Sequence, residues 1–207
     1  MGDQPNFRMR VMYQKSGRLA LLSHLEVIRA LERAVRRADL PYAITEGFSP
    51  HMKIAFGSAL PVGVGGQEEC FDLSMTRYIA PDKALESLKA SSPPDLMVHS
   101  CVYVDNKAPA ASVAFPRSLY EVMLSEPLSS PPVVPETIVA VRKGKEKELI
   151  VSDYLEEGIQ FKEDKLYFSL CAKPTGSLRV DAFLEKLLQG CPDIDIVSIT
   201  RIRQETF

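Results

Sequence analysis

Ser23 and Glu26 do most to restrict what this chain can fold into. A serine followed three residues later by glutamate is a capping box, which satisfies two of the free N–H groups at a helix start. Behind it Val27, Ile28, Leu31, Ala34, Val35 and Ala38 recur at three and four residues and form one apolar stripe, and Pro41 stops the run. On the N-terminal side, Phe7, Met9, Val11 and Tyr13 alternate with Arg8, Arg10 and Met12, the two-residue period of a strand. A strand that feeds a capped helix commits the chain to a mixed architecture.

The remaining elements follow from punctuation. Pro41–Thr45 and Lys53–Phe56 read as short strands around Glu46, Gly47, Phe48 and His51, and the glycine-rich run Gly57–Gly66 reads as a flexible hairpin connection into a strand at Glu69–Met75. A helix opens at Pro81 and stops before Pro93-Pro94, and Leu96–Val104 is a further strand. The order β, α, β, β, β, α, β is the ferredoxin-like βαββαβ plan with one strand added. After a linker over Asn106–Arg117, strands are expected at Leu119–Leu124, at a hairpin around Lys143-Gly144-Lys145, and at Ile159–Phe161 and Leu166–Ala172. A helix at Val180–Leu188 and a strand at Ile194–Ile202 complete the chain. The expected fold class is α+β, with two ferredoxin-like halves built on antiparallel sheets, residues 1–107 and 108–207, the second degenerate.

With 207 residues, 45% of them hydrophobic, the chain can bury a real core. Phe7–Phe56 carries nine Lys or Arg against four Asp or Glu, and the rest sixteen against twenty-three, so a basic N-terminal portion (+5) sits on an acidic body (-7). That division is the footprint of a polyanion partner. Cys70, Cys101, Cys171 and Cys191 form no C-x-x-C pair and no cluster-binding run, and read as small buried hydrophobes in a reducing compartment. No apolar run reaches signal-peptide or membrane-spanning length. The expectation is a cytoplasmic protein with no membrane partner and no cofactor.

Arg29, Arg33 and Arg36 stand at i, i+4 and i+7, with Arg37 beside them, so four guanidinium groups share one side of the first helix. Forks spaced along an axis suit successive phosphates. The same residues suit a solvated face on which Glu32 pairs with Arg36. His24 sits at the helix start, where the positive helix end favours a neutral imidazole; His51 follows Pro50 in a turn, with Lys53 two residues on. His24, His51 and Lys53 are the candidates for acid–base work on a phosphodiester or for phosphate binding, and each histidine also suits a structural hydrogen bond. His24, His51 and Glu46 are the only grouping a metal reading finds, and no metal is expected; His99 stands alone in a strand. Gly57–Gly66 lacks the signature of a nucleotide loop. A second anion site is conceivable at Lys173–Arg179, where Ser177 would cap a helix. Of the aromatics Phe7, Tyr13, Phe48 and Phe56, Phe48 is the one placed to stack on a base.

KSGRLALLSHLEVIRALERAVRRADLPYAITEGFSPHMKIAFGSALPVGV and EECFDLSM resemble the radical-SAM-linked protein family, a bacterial domain found alone or attached to the C-terminal side of a radical-SAM, cobalamin-binding-type protein. The resemblance rests on Ser23-His24-Leu25, the arginine-rich helix and Gly47-Phe48-x-Pro50-His51-x-Lys53, and fades after about residue 110. It implies an accessory role beside a radical-SAM enzyme in RNA modification or maturation, and supplies no reaction of the chain's own. A fainter resemblance in the helix and doubled element order is to the repeat-associated RNA-binding proteins of CRISPR systems, some of which are endonucleases that use histidines. The expected function is therefore RNA binding through Arg29, Arg33, Arg36, Arg37, Phe48, His51 and Lys53. A metal-independent RNA-processing endonuclease using His24 and His51, and a protein–protein adaptor, stand as alternatives.

Overall fold

The computed structural model describes residues 7–142, 145–173 and 176–206. It is a mixed α+β chain, mostly antiparallel sheet with four helices among the described residues, and divides into two compact units, Met1–Phe115 and Pro116–Phe207.

The first unit runs β1 (Phe7–Lys15), α1 (His24–Arg37), β2 (Ile54–Phe56), β3 (Val64–Met75), α2 (Pro81–Ser91), β4 (Val98–Val104) and the one-turn α3 (Ala111–Ala114). β1 lies between β4 and β3, antiparallel to both, and β2 pairs with the other edge of β3, Ile54 opposite Leu73 and Phe56 opposite Phe71. The register puts Met9, Val11 and Tyr13 on the same face as Phe71, Leu73 and Met75. That face packs against Val27, Leu31 and Val35 of α1 and Ala84 and Leu88 of α2, the apolar sides that helical period gives them. The capping box forms: Glu26 accepts from the Ser23 N–H at 2.8 Å and from its hydroxyl at 2.7 Å, and both contacts hold the Glu26 carboxyl below its usual range.

Arg8, Arg10, Asp72 and Ser74 point to the other face of this sheet. Arg10 grips Asp72 with a two-pronged pair at 2.8 and 3.0 Å, and Asp72 also accepts the Ala111 N–H at 2.9 Å. Arg8 reaches over to the carbonyls of Asp105 and Ala108, and the Arg10 guanidinium lies 5.2 Å from the centre of the Phe115 ring. The expected linker at Asn106–Arg117 is therefore a strap fastened to the sheet, with α3 inside it.

Three further expectations need correction. Pro41–Thr45 is no strand: Pro41 has no N–H, Tyr42 returns its own to Leu40, and only isolated bridges at Tyr42 and Ile44 remain, so the added strand is absent. Gly57–Gly66 is not a flexible hairpin throughout, because β3 already includes Gly65 and Gly66, both buried. A Cβ on Gly66 would meet the Glu69 carboxylate at 2.5 Å, so this glycine serves close packing. Leu96 belongs to a 3-10 turn, and β4 begins at Val98.

The second unit comprises β5 (Arg117–Leu124), β6 (Thr137–Arg142), β7 (Lys145–Ile150), β8 (Leu155–Lys162), β9 (Lys165–Cys171), α4 (Val180–Leu187) and β10 (Ile196–Glu205). Its antiparallel sheet has the order β10-β5-β9-β8, and β6 and β7 form a separate hairpin. Within the expected turn of that hairpin, Lys143 and Gly144 lie outside the described residues. Tyr120, Val122, Phe168 and Leu170 share the buried face, where Phe168 stacks on Tyr120 and meets Phe183 of α4 edge-on at 5.1 Å. No disulfide forms among the described residues; Cys70, Cys101 and Cys171 are buried, and burial pushes the Cys101 thiol up to about 12.

Candidate nucleic-acid interface

Helical geometry leaves the side of α1 away from the sheet to its arginines. Arg29, Arg33, Arg36 and Arg37 are all exposed. Arg36 spends its charge on Glu32, one turn back at 3.4 Å, a solvent-screened pair worth about 0.3–0.5 kcal/mol. Arg29 lies near Glu26, a carboxylate already occupied by Ser23. Arg33 and Arg37 have no hydrogen bond or ion pair among the described residues. Arg36 and Arg37 also fall in the last helical turn, where the helix end favours cations.

His24 is turned inward. Half-buried at the start of α1, its ring meets Phe56 edge-on at 5.9 Å and lines a crevice of about 10 Å³, room for a single water, together with Tyr13, Lys15, Ser58 and Glu69. Burial holds its imidazole below the ordinary histidine range; Glu69 opposes that shift and Lys15 adds to it. Neutral His24 was the expectation from the helix end, but desolvation is the main cause. Lys15 and Glu69 are themselves buried, and Lys15 Nζ donates to the Val64 carbonyl at 3.2 Å. Gly66, the glycine that admits the Glu69 carboxylate, is the local sequence sign of this burial.

His51 lies elsewhere. Its Nδ1 is 3.0 Å from the Ser49 carbonyl, a contact that requires the proton on Nδ1, and 3.1 Å from Thr45 Oγ1, which also accepts the His51 backbone N–H. The Lys53 backbone is clamped between Ala43 and Ser74, while its side chain is exposed. His51 and Lys53 line a recess of about 180 Å³ with Arg8, Thr45, Asp72 and Ser74, on the sheet face opposite α1. His24 and His51 thus line different cavities on opposite faces. They form no acid–base pair, and among the described residues no metal set with Glu46 converges. The arginine side of α1 and the recess do not share a cavity either.

The other candidates resolve as follows. Phe48 is fully exposed, whereas Tyr13 is buried and Phe56 packs on Phe71. Phe7 packs edge-on to Tyr78 and Tyr103, which stack at 5.0 Å; Tyr78 is exposed, an aromatic surface that the loop position of Tyr78 did not announce. His99 Nε2 donates to the Gln67 carbonyl at 3.2 Å, a structural hydrogen bond. The second anion site is neutralised from within: Lys173 pairs with Asp153 at 3.3 Å, Arg179 with Asp181, and the N-cap of α4 is Arg179, not Ser177. Pro174 and Thr175 of that stretch lie outside the described residues.

A family model described as "Uncharacterized protein conserved in bacteria (DUF2344)" matches residues 8–163, from β1 through β8. The chain belongs to this family. The match takes in α1, the strap and the whole recess, so the features described above lie inside the family's domain. No curated protein matches the chain. Among the described residues, no helix is long and apolar enough to cross a membrane.

Proposed function

We propose that this member of the DUF2344 family is an RNA-binding accessory protein, acting in the cytoplasm beside a radical-SAM enzyme in RNA modification or maturation. The observation that carries the reading is the exposed side of α1, where Arg33 and Arg37 stand with no intramolecular partner among the described residues and Arg29 faces only a carboxylate already engaged. Guanidinium groups along a helix meet successive phosphates with charge-assisted contacts. Exposed Phe48 adds a ring on which a base can stack, worth about 1–3 kcal/mol. The radical-SAM link rests on the sequence resemblance in Ser23–His24–Leu25 and Gly47–Lys53. The endonuclease alternative loses its motivation, since His24 and His51 face separate cavities.

We also read both units as variants of the ferredoxin-like plan. In support, the first has the order β-α-β-β-α-β with β1 between β4 and β3 and β2 beyond β3. The second keeps the corresponding strand order, with the β6–β7 hairpin where the chain order would have its first helix. Crosslinking in cells followed by sequencing of the bound nucleic acid tests the main reading: a defined set of RNAs is expected, and recovery no greater than from a mock purification would refute it. Copurification of a radical-SAM enzyme from nuclease-treated lysate tests the partner.

A further inference from the structure

The recess on the far face of the first unit's sheet has the chemistry of an anion site. Of the groups that line it, Arg8 and Lys53 are cationic, His51 presents its imidazole, and Asp72 is the single carboxylate. Asp72 is already claimed: Arg10 holds both its oxygens and the Ala111 N–H takes a third contact, while Arg8 Nε remains 3.9 Å away. Arg8 Nε is buried without a hydrogen-bond partner, an orphan donor at the wall of the recess. Lys53 has no ion pair among the described residues, and the Ser74 side chain, on the same face as Asp72, adds a hydroxyl. His51 is oriented by Ser49 and Thr45 through Nδ1, which leaves Nε2 outside those contacts.

Two surplus positive charges beside one neutralised carboxylate favour a dianion over a monoanion. A phosphate monoester carries about -1.5 to -2 at neutral pH, whereas a backbone diester carries a single charge. The space of about 180 Å³ accepts a phosphate group together with bound water or part of its sugar. We propose that this recess is a phosphomonoester site in which Lys53 contacts the phosphate directly, Ser74 donates its hydroxyl, and Arg8 supplies charge from the wall. This rests on the RNA-binding reading only for the source of the ligand: the phosphomonoester would then be the 5′ end of an RNA, and otherwise a free nucleotide.

The test uses the full chain and fluorescence anisotropy of one short single-stranded oligoribonucleotide, with either a 5′-monophosphate or a 5′-hydroxyl, and with inorganic phosphate and a nucleoside 5′-monophosphate as competitors. The phosphorylated end is expected to bind about tenfold more tightly, a preference of the size one charge-assisted contact gives. Lys53→Gln, at an exposed side chain, should erase the preference; Arg29→Ala with Arg33→Ala and Arg37→Ala should weaken both oligonucleotides and keep the preference. Should neither oligonucleotide bind, calorimetry with inorganic phosphate and the nucleoside monophosphate decides alone: Lys53-dependent binding upholds the site while the RNA reading fails. Equal affinity for both ends, or calorimetric binding absent or indifferent to Lys53→Gln, overturns the proposal.

Discussion

Asp72 is the residue on which the far face of the first sheet depends. Only 4% exposed, it neutralises Arg10 through two oxygens and anchors the strap through Ala111. Removing one member of a buried pair leaves the other charge uncompensated, so Asp72→Ala should lower unfolding free energy by about 3 kcal/mol in urea titration; a loss within error of zero would show that Arg10 is held some other way. His24 gives a pH signature. Its folded-state pKa is depressed, so the unfolded chain binds the proton more readily, and the stability that neutral His24 contributes is present above about pH 6.5 and lost as pH falls through the folded value. Between about pH 7 and pH 5.5, the wild type should lose stability more steeply than His24→Gln. Parallel curves would mean that the crevice does not desolvate the ring.

Cross-strand pairs set the electrostatics of the elements. On β5 and β9, Glu121 accepts from the Tyr167 hydroxyl at 2.6 Å and from Lys165 at 3.2 Å, and the tyrosine contact is the main cause holding the Glu121 carboxyl below its usual range. In Tyr167→Phe, an NMR pH titration should find Glu121 protonating at higher pH; an unmoved midpoint would assign the shift elsewhere. Strands and helices such as β1, α1, α2 and β5 were readable because a single periodicity, a cap and a proline state both type and ends. The segment after Pro41 misled because its apolar residues suggest a strand, while Pro41 has no N–H, Tyr42 gives its own to Leu40, and only isolated bridges at Tyr42 and Ile44 form. The Glu69–Lys15–His24 crevice and the Arg8 wall of the recess were illegible for another reason: residues 8, 53 and 74 meet only through strand register, which no local pattern encodes.

Over the whole molecule, the uneven charge acquires a location. Of the nine basic residues of Phe7–Phe56, Arg29, Arg33, Arg36 and Arg37 lie on the exposed side of α1 and Arg8 and Lys53 line the recess under β2, while Arg10 is matched by Asp72 and Arg36 by Glu32. These surfaces lie on opposite sides of one sheet and not in one groove. RNA binding by this account is mainly a property of α1. The most direct measurement is the affinity for single-stranded RNA across a salt series, for the wild type and for the combined Arg29→Ala, Arg33→Ala, Arg37→Ala variant. Each single-strand phosphate contact contributes about -0.7 to the slope of log affinity against log salt, so losing three contacts should make the slope shallower by about 2 and weaken binding at every salt concentration. An affinity and slope identical to wild type in that variant would contradict the account.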